Sequence, residues 1–226
     1  MPAIKKIKII SFDLDDALYD NRPVLFRAEQ LSRNYLQQEF EKQKKVFDFE
    51  YFLSLKQQLL SQNIPELENM NVFRQTILTN ICAPLVDRER IANRAFEIFL
   101  EARSQAIIDP LIESALHQLA KDFTLVTVTN GNCDATKLSI GHLFESHYSP
   151  LNGYRAKPHP QMLQTILQQF QITPRQLVHV GDSLEKDGMA ARNAGVGFVH
   201  FAPFLESNDI ASSLESLLNK IEKINT

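Results

Sequence analysis

An apolar run, Ile9-Ile10-Ser11-Phe12, breaks at once into acids, Asp13-Leu14-Asp15-Asp16, and continues as Ala17-Leu18-Tyr19-Asp20. A short run of Ile, Ile and Phe bounded by acids and a turn reads as a buried strand, and open α/β sheets place their ligands at the carboxyl ends of such strands. Asp13 and Asp15 are spaced by two, but a strand that ends here lets the backbone splay and both carboxylates face one cleft. Close acids repel unless a cation or a shared proton intervenes. Asp also favours helix caps and first turns, so the run by itself fits a helix start as well. A calcium loop does not fit, because Ala17 and Leu18 stand at the fifth and sixth loop positions, the sixth needing glycine.

The remainder divides in two. From Pro23 to about Ser104 the chain is rich in Gln, Glu, Lys, Leu and Phe, with helical spacing and no strand pattern. Val24, Ala28, Leu31, Tyr35 and Leu36 mark one amphipathic helix, with Pro23 as its first residue. Phe49, Phe52, Leu55, Leu59 and Leu60 mark a second, Phe73, Ile77, Leu78 and Ile81 a third, and Ile91, Ala95, Phe96 and Phe99 a fourth. From Asp109-Pro110 onward helices and strands alternate. Helices are expected at 111–121, 160–170, 190–194 and 210–221, strands at 123–128, 177–180 and 198–201, and a turn at Thr129-Asn130-Gly131-Asn132 leading into another helix. Such alternation implies an α/β, Rossmann-like parallel sheet, and the first strand must join it. The expected organisation is an α/β core of residues 1–20 and 106–226, with an all-helical, four-helix insert at 21–105.

At 226 residues and 44% hydrophobic content the chain can bury such a core. A formal charge of −3 and no basic tract offer nothing to nucleic acid or an anionic membrane. The N-terminal Met-Pro-Ala-Ile-Lys-Lys has no apolar leader segment behind it, and no run approaches eighteen apolar residues, so a cytoplasmic location is expected. Cys82 and Cys133 have neither a disulfide framework nor metal-site spacing and read as reduced thiols.

Three further places sit just past an expected strand. Thr129 offers a hydroxyl and the following amides can face an anion, although Thr-Asn-Gly alone is also a good turn. Lys157, in Arg155-Ala156-Lys157-Pro158, is either a fixed cation or a solvated surface lysine. Gly181-Asp182-Ser183-Leu184-Glu185-Lys186-Asp187 places a glycine and two acids directly after a strand, where a tight turn or a helix cap is also served.

Taken in order, Asp13-x-Asp15, Thr129, Lys157 and Gly181-Asp182 with Asp187 resemble the haloacid dehalogenase (HAD) superfamily, across residues 1–20 and about 106–226. Asn193-Ala194-Gly195-Val196 adds to the likeness, and the helical insert resembles the family's C1 cap, a lid. Phe12-Asp13-Leu14-Asp15-Asp16, Leu18-Tyr19-Asp20-Asn21-Arg22-Pro23, Thr129-Asn130-Gly131-Asn132 and His179-Val180-Gly181-Asp182 resemble the bacterial YigB-type phosphatases. These are associated with flavin mononucleotide (FMN) and with 5-amino-6-(5-phospho-D-ribitylamino)uracil of riboflavin biosynthesis. The chain departs from the pattern at Ala17, usually Thr, at Ser183, often Asp, and at His159, commonly an acid.

The resemblance implies an Mg²⁺-dependent phosphomonoesterase. Asp13 would be the nucleophile, Asp15 the acid and base, and Asp13, Asp15 (through its carbonyl) and Asp182 the metal ligands. Thr129, Asn130 and Lys157 would hold the phosphoryl group, with Asp187 in support. The implied partner is a small phosphorylated metabolite, for a monomer or weak homodimer. A dehalogenase, a phosphomutase and a non-catalytic HAD module that binds a phosphometabolite or a protein are the alternatives. Arg22, Arg27 and Tyr19 stand at the hinge, where they either reach a ligand or pack.

Overall fold

A computed structural model describes residues 7–62, 64–206 and 209–225. The charged N-terminal stretch, residues 1–6, lies outside the described residues. In chain order the elements are β1 (Ile9–Phe12), α1 (Asn21–Lys42), α2 (Phe49–Ser61), α3 (Met70–Cys82), α4 (Arg88–Arg103), α5 (Pro110–Leu119), β2 (Thr124–Val128), β3 (Phe144–Tyr148), α6 (Gln161–Gln169), β4 (Leu177–Gly181), α7 (Met189–Ala194), β5 (Gly197–His200) and α8 (Ile210–Asn225). The chain separates into two compact units, one of residues 1–21, 106–131 and 135–226, the other of 22–105 with 132–134.

The first unit is a five-stranded parallel sheet in the order β3-β2-β1-β4-β5. β1 and β4 are buried throughout and β2 is buried except at Thr124, as strands covered on both faces must be. β1 lies between β2 and β4, with Phe12 level with both Thr127 and Val180. The strand order reverses between β1 and β4, so the residues following these two strands open at the topological switch point. Asp109 starts α5 by accepting from the Leu111 amide at 2.8 Å, with Pro110 at the first helical position.

One expected helix is absent. After Thr129–Asn132 the chain makes two short 3₁₀ turns, Ala135–Lys137 and Gly141–Leu143, and then enters β3. The coil is tight at Gly141, where a Cβ would lie 2.4 Å from the Ala135 carbonyl oxygen. Phe-Glu-Ser-His-Tyr lacks the apolar run of the central strands because β3 is an edge strand, open on one side, and Glu145 is exposed. Only its pairing with β2 reveals it.

The second unit holds α1 to α4. Leu36, Phe40, Phe52, Leu55, Phe73, Ile77, Leu78, Ile81, Ile91 and Ala95 form its core. α1 begins at Asn21, earlier than Pro23, because the Asn21 amide donates to the Asp16 carboxylate at 3.0 Å. In α2 only Phe52 and Leu55 of the expected stripe are buried; Phe49 and Leu60 remain exposed. Leu31 of α1 is exposed as well. A partly buried ion group, with only Arg74 itself buried, ties α1, α2 and α3 together. Glu29 accepts from Arg74 at 2.6 Å and lies 3.6 Å from Lys56, while the Arg74 guanidinium stacks 3.4 Å from the centre of Phe99.

Candidate active site

Asp13 is the first residue past β1, and its amide donates to the Val180 carbonyl at 2.8 Å, holding it beside the end of β4. Its carboxyl is buried and lies against Lys157, whose Nζ is 2.9 Å from Asp13 Oδ1. Lys157 is itself buried, and Nζ also donates to Asp187 Oδ1 at 2.5 Å and to the Val128 carbonyl at 2.7 Å. The backbone of Lys157 is bracketed by one side chain. Asn130 Oδ1 accepts from the Lys157 amide at 2.7 Å, and Asn130 Nδ2 donates to its carbonyl at 2.8 Å. The lysine is thus a fixed buried cation, held by residues that follow β2.

Asp187 reaches the same point from the far end of the loop after β4. Ser183, two residues past β4, caps the turn at 184–188, and its amide donates to Asp187 Oδ2 at 3.0 Å. The glycine at 181 serves a close approach, where a tight turn was expected: a Cβ there would meet Asp187 Cγ at 2.4 Å. Acid oxygens of Asp13, Asp182 and Asp187 converge to within 4.8 Å of one another.

The charges sort accordingly. Burial raises the Asp13 carboxyl above its ordinary range, Lys157 opposes this, and Asp187 and Asp15 add to the rise. Asp182, half-buried, is pushed up to about 7 by burial and then by the charges of Asp13 and Asp187. Asp187 moves the other way: burial works against its charged form, but Lys157 and His179 outweigh it and hold the carboxyl below the usual range. Lys157 is held above its ordinary value because its two carboxylates outweigh its burial.

Asp15 stands two residues past Asp13, partly exposed, with one oxygen 2.5 Å from the Tyr19 hydroxyl. Thr129 follows β2 and is buried; its hydroxyl accepts from the Gly131 amide at 3.0 Å, which shapes the turn there. Tyr19 is buried and Arg27 donates to the carbonyls of Ala102 and Gln105 at the end of α4, so both pack. Arg22 lines a cavity of about 420 Å³ within the helical unit, together with Arg33, Phe49, Phe52 and Arg74.

His179 belongs to this cluster as well, although the residue pattern gives it no site role. It is fully buried in β4, with Nε2 2.9 Å from Asp187 Oδ1 and Nδ1 3.0 Å from the hydroxyl of Ser11, its register partner on β1. Because a carboxylate only accepts, Nε2 carries the proton toward Asp187. The available signal was polarity itself, a Ser and a His each in the middle of a central apolar strand.

The clustered donors, from Asp13, Asp182 and Asp187, are all carboxylate oxygens, a set suited to a hard divalent ion. Asp13 Oδ1 is buried within ionic distance of Lys157 yet accepts no hydrogen bond, leaving capacity for an ion. Asp187 is already engaged by Lys157, His179 and the Ser183 amide.

A phosphatase from Escherichia coli (strain K12), 5-amino-6-(5-phospho-D-ribitylamino)uracil phosphatase YigB, is 29% identical over 218 residues, covering 94% of this chain and 90% of its own. Among solved structures, a 2-haloacid dehalogenase from Pseudomonas syringae pv. tomato DC3000 superposes with a TM-score of 0.83 at 28% identity, over 96% of this chain and 98% of that one. The HAD-hydrolase YfnB of Bacillus subtilis, solved bound to magnesium, shares the fold with a TM-score of 0.62 at 20% identity, over 96% of this chain and 99% of that one. The haloacid dehalogenase-like hydrolase model matches residues 7–195, a span that runs from β1 to the end of α7 and takes in every residue of the acid and lysine cluster. A parallel sheet with its acids at the β1/β4 reversal and a match of that extent have one common explanation: this chain belongs to the haloacid dehalogenase-like hydrolases.

Proposed function

We propose that this hydrolase cleaves phosphomonoesters through an aspartyl phosphate on Asp13. The observation that carries the reading is the buried Asp13 carboxyl set against Lys157 beside two further acids, with Asp15 two residues on. A carboxylate oxygen of Asp13 attacks phosphorus while the bond to the ester oxygen breaks, and Asp15 gives that oxygen its proton, so that an alcohol leaves. Water then attacks the same phosphorus, Asp15 takes a proton from it, and the bond to Asp13 breaks to free inorganic phosphate. Lys157 neutralises charge on Asp13 and on the phosphoryl oxygens. The Thr129 hydroxyl and the Asn130 backbone amide receive those oxygens; such preorganised donors are each worth about 3–4 kcal/mol. Asp187 keeps Lys157 in place. Mg²⁺ would be held by the Asp13 carboxylate, the Asp15 carbonyl and Asp182, and would supply charge neutralisation for the transferring group.

The substrate is a small phosphorylated metabolite. Likeness to the YigB phosphatase puts 5-amino-6-(5-phospho-D-ribitylamino)uracil first in the panel, and FMN is included with it. No helix among the described residues is long and apolar enough to cross a membrane. Dehalogenation of a 2-haloacid is the second reading, favoured by the likeness to the Pseudomonas enzyme. Asp15 and Asp182 weigh against it, since displacement of halide needs neither a leaving-group acid nor a metal.

The test is phosphate release from a panel of esters with Mg²⁺, with chelator, and with Asp13→Asn, alongside halide release from 2-chloropropionate. The expected result is Mg²⁺-dependent phosphate release, lost in Asp13→Asn, and no halide. Absence of phosphate release from every ester, or release untouched by Asp13→Asn, overturns the proposal.

A further inference from the structure

Residues 13–20 form a loop closed on itself. The Asp16 amide donates to the Tyr19 carbonyl at 2.9 Å, the Leu18 amide to the Leu14 carbonyl at 2.9 Å, and Asp15 and Tyr19 pair as an isolated bridge. The reversal needs a left-handed residue, and Asp16 supplies it with φ of 60°, a conformation Asp tolerates better than most residues. The loop thereby brings the Tyr19 phenol back over Asp15, where its hydroxyl donates to Oδ1 at 2.5 Å. Ala17, between them, has no polar side-chain atom to offer. The Tyr19 ring is fully buried, so the hydroxyl has no freedom to swing away.

From this geometry we infer that Tyr19 is a positioning residue for the proton-transferring carboxyl of Asp15, an inference that rests on the phosphatase reading. A group that first gives a proton to the ester oxygen and then takes one from water must present the same atom twice. With Oδ1 held as acceptor of the phenol, the carboxyl plane is set by a buried ring.

The experiment is Tyr19→Phe, which removes only the hydroxyl and keeps the buried ring. Two substrates separate positioning from packing. An alkyl ester such as glycerol 2-phosphate needs its leaving oxygen protonated, whereas p-nitrophenyl phosphate expels a stable phenolate. kcat/KM reports the first, ester-cleaving step, so the expected result is a fall of about 10–100-fold for the alkyl ester, part of the range for acid catalysis, and little change for p-nitrophenyl phosphate. An equal fall for both, or no fall for either, overturns the inference. A second readout needs no turnover: the carboxyl ¹³C resonance of Asp15 in the whole protein, assigned by its loss in Asp15→Asn, should move in Tyr19→Phe. An unmoved resonance overturns the contact itself. A native protein that releases no phosphate from any ester while the resonance does move would sink the phosphatase reading and leave the contact standing.

Discussion

Replacing Lys157 by Met tests whether one buried cation holds the acid cluster together. Nζ lies 2.9 Å from Asp13 Oδ1 and 2.5 Å from Asp187 Oδ1, with the lysine side chain only 2% exposed. At an effective dielectric of about 20, each contact is a gross attraction of roughly 6 kcal/mol. Taking the three charges out of water costs several kcal/mol apiece, so the intact cluster is near balance. Removing one partner is different, because it strands the charges that remain; for a buried pair that costs about 3–5 kcal/mol. In a chain of this size 1 kcal/mol shifts the midpoint by about 2–4 °C, so Lys157→Met should lower the unfolding temperature by about 6–20 °C. Circular dichroism melts in chelator, at neutral pH, measure it. Asp187→Asn introduced into Lys157→Met should recover part of the loss, since one stranded charge is gone, and the two changes should therefore be non-additive. A midpoint within about 2 °C of the native protein, or strict additivity, would refute the view that Lys157 neutralises both acids.

Two further predictions concern charge. Asp182, pushed up to about 7 from an ordinary 3.8, keeps its proton in the folded state to a higher pH than in the unfolded chain. The metal-free protein should therefore lose stability as pH rises from about 4 to about 7, and Asp182→Asn should reduce that slope, leaving the part that the raised Asp13 carboxyl contributes. A divalent cation competes with the same proton, so Mg²⁺ affinity should rise across the same upper range with proton release, read by titration calorimetry in buffers of unlike ionisation heat. Affinity and proton count that ignore pH would contradict it. In the helical unit, burial opposes the charge on Glu29 but Arg74 and Lys56 outweigh it and hold the carboxyl below its usual range. Its stabilisation is present above the ordinary 4.5 and is lost as pH falls through the lowered value, so Glu29→Gln should cost about 1–3 kcal/mol at neutral pH and progressively less in acid. Denaturant melts at several pH values check this, and a cost that does not shrink in acid would refute it.

Much of this molecule could be read directly from residue order. Apolar runs ending in acids, glycine or threonine placed β1, β2 and β4 and the polar groups at their ends, because a central parallel strand must be apolar on both faces and its polar residues collect where it stops. Helical spacing likewise separated α1 to α4 from the sheet. Edge strand β3 could not be read this way, since a strand open on one side has no need of a continuous apolar run.

What depended on the tertiary structure is which groups meet. Asn130 and Lys157 are far apart in sequence, yet the amide of one brackets the backbone of the other. Gly181 looked like a turn residue and proves to be small because Asp187 packs against it, a constraint from a residue six positions away. Ser11 and His179 are polar residues in apolar strands whose purpose appears only when β1 and β4 pair in register and aim the imidazole at Asp187. Local sequence determined where β1, β2 and β4 end and which chemical groups stand there. Distances, burial and the division of charge among Asp13, Lys157, Asp182 and Asp187 arise between segments separated along the chain, and only the folded sheet brings those segments together.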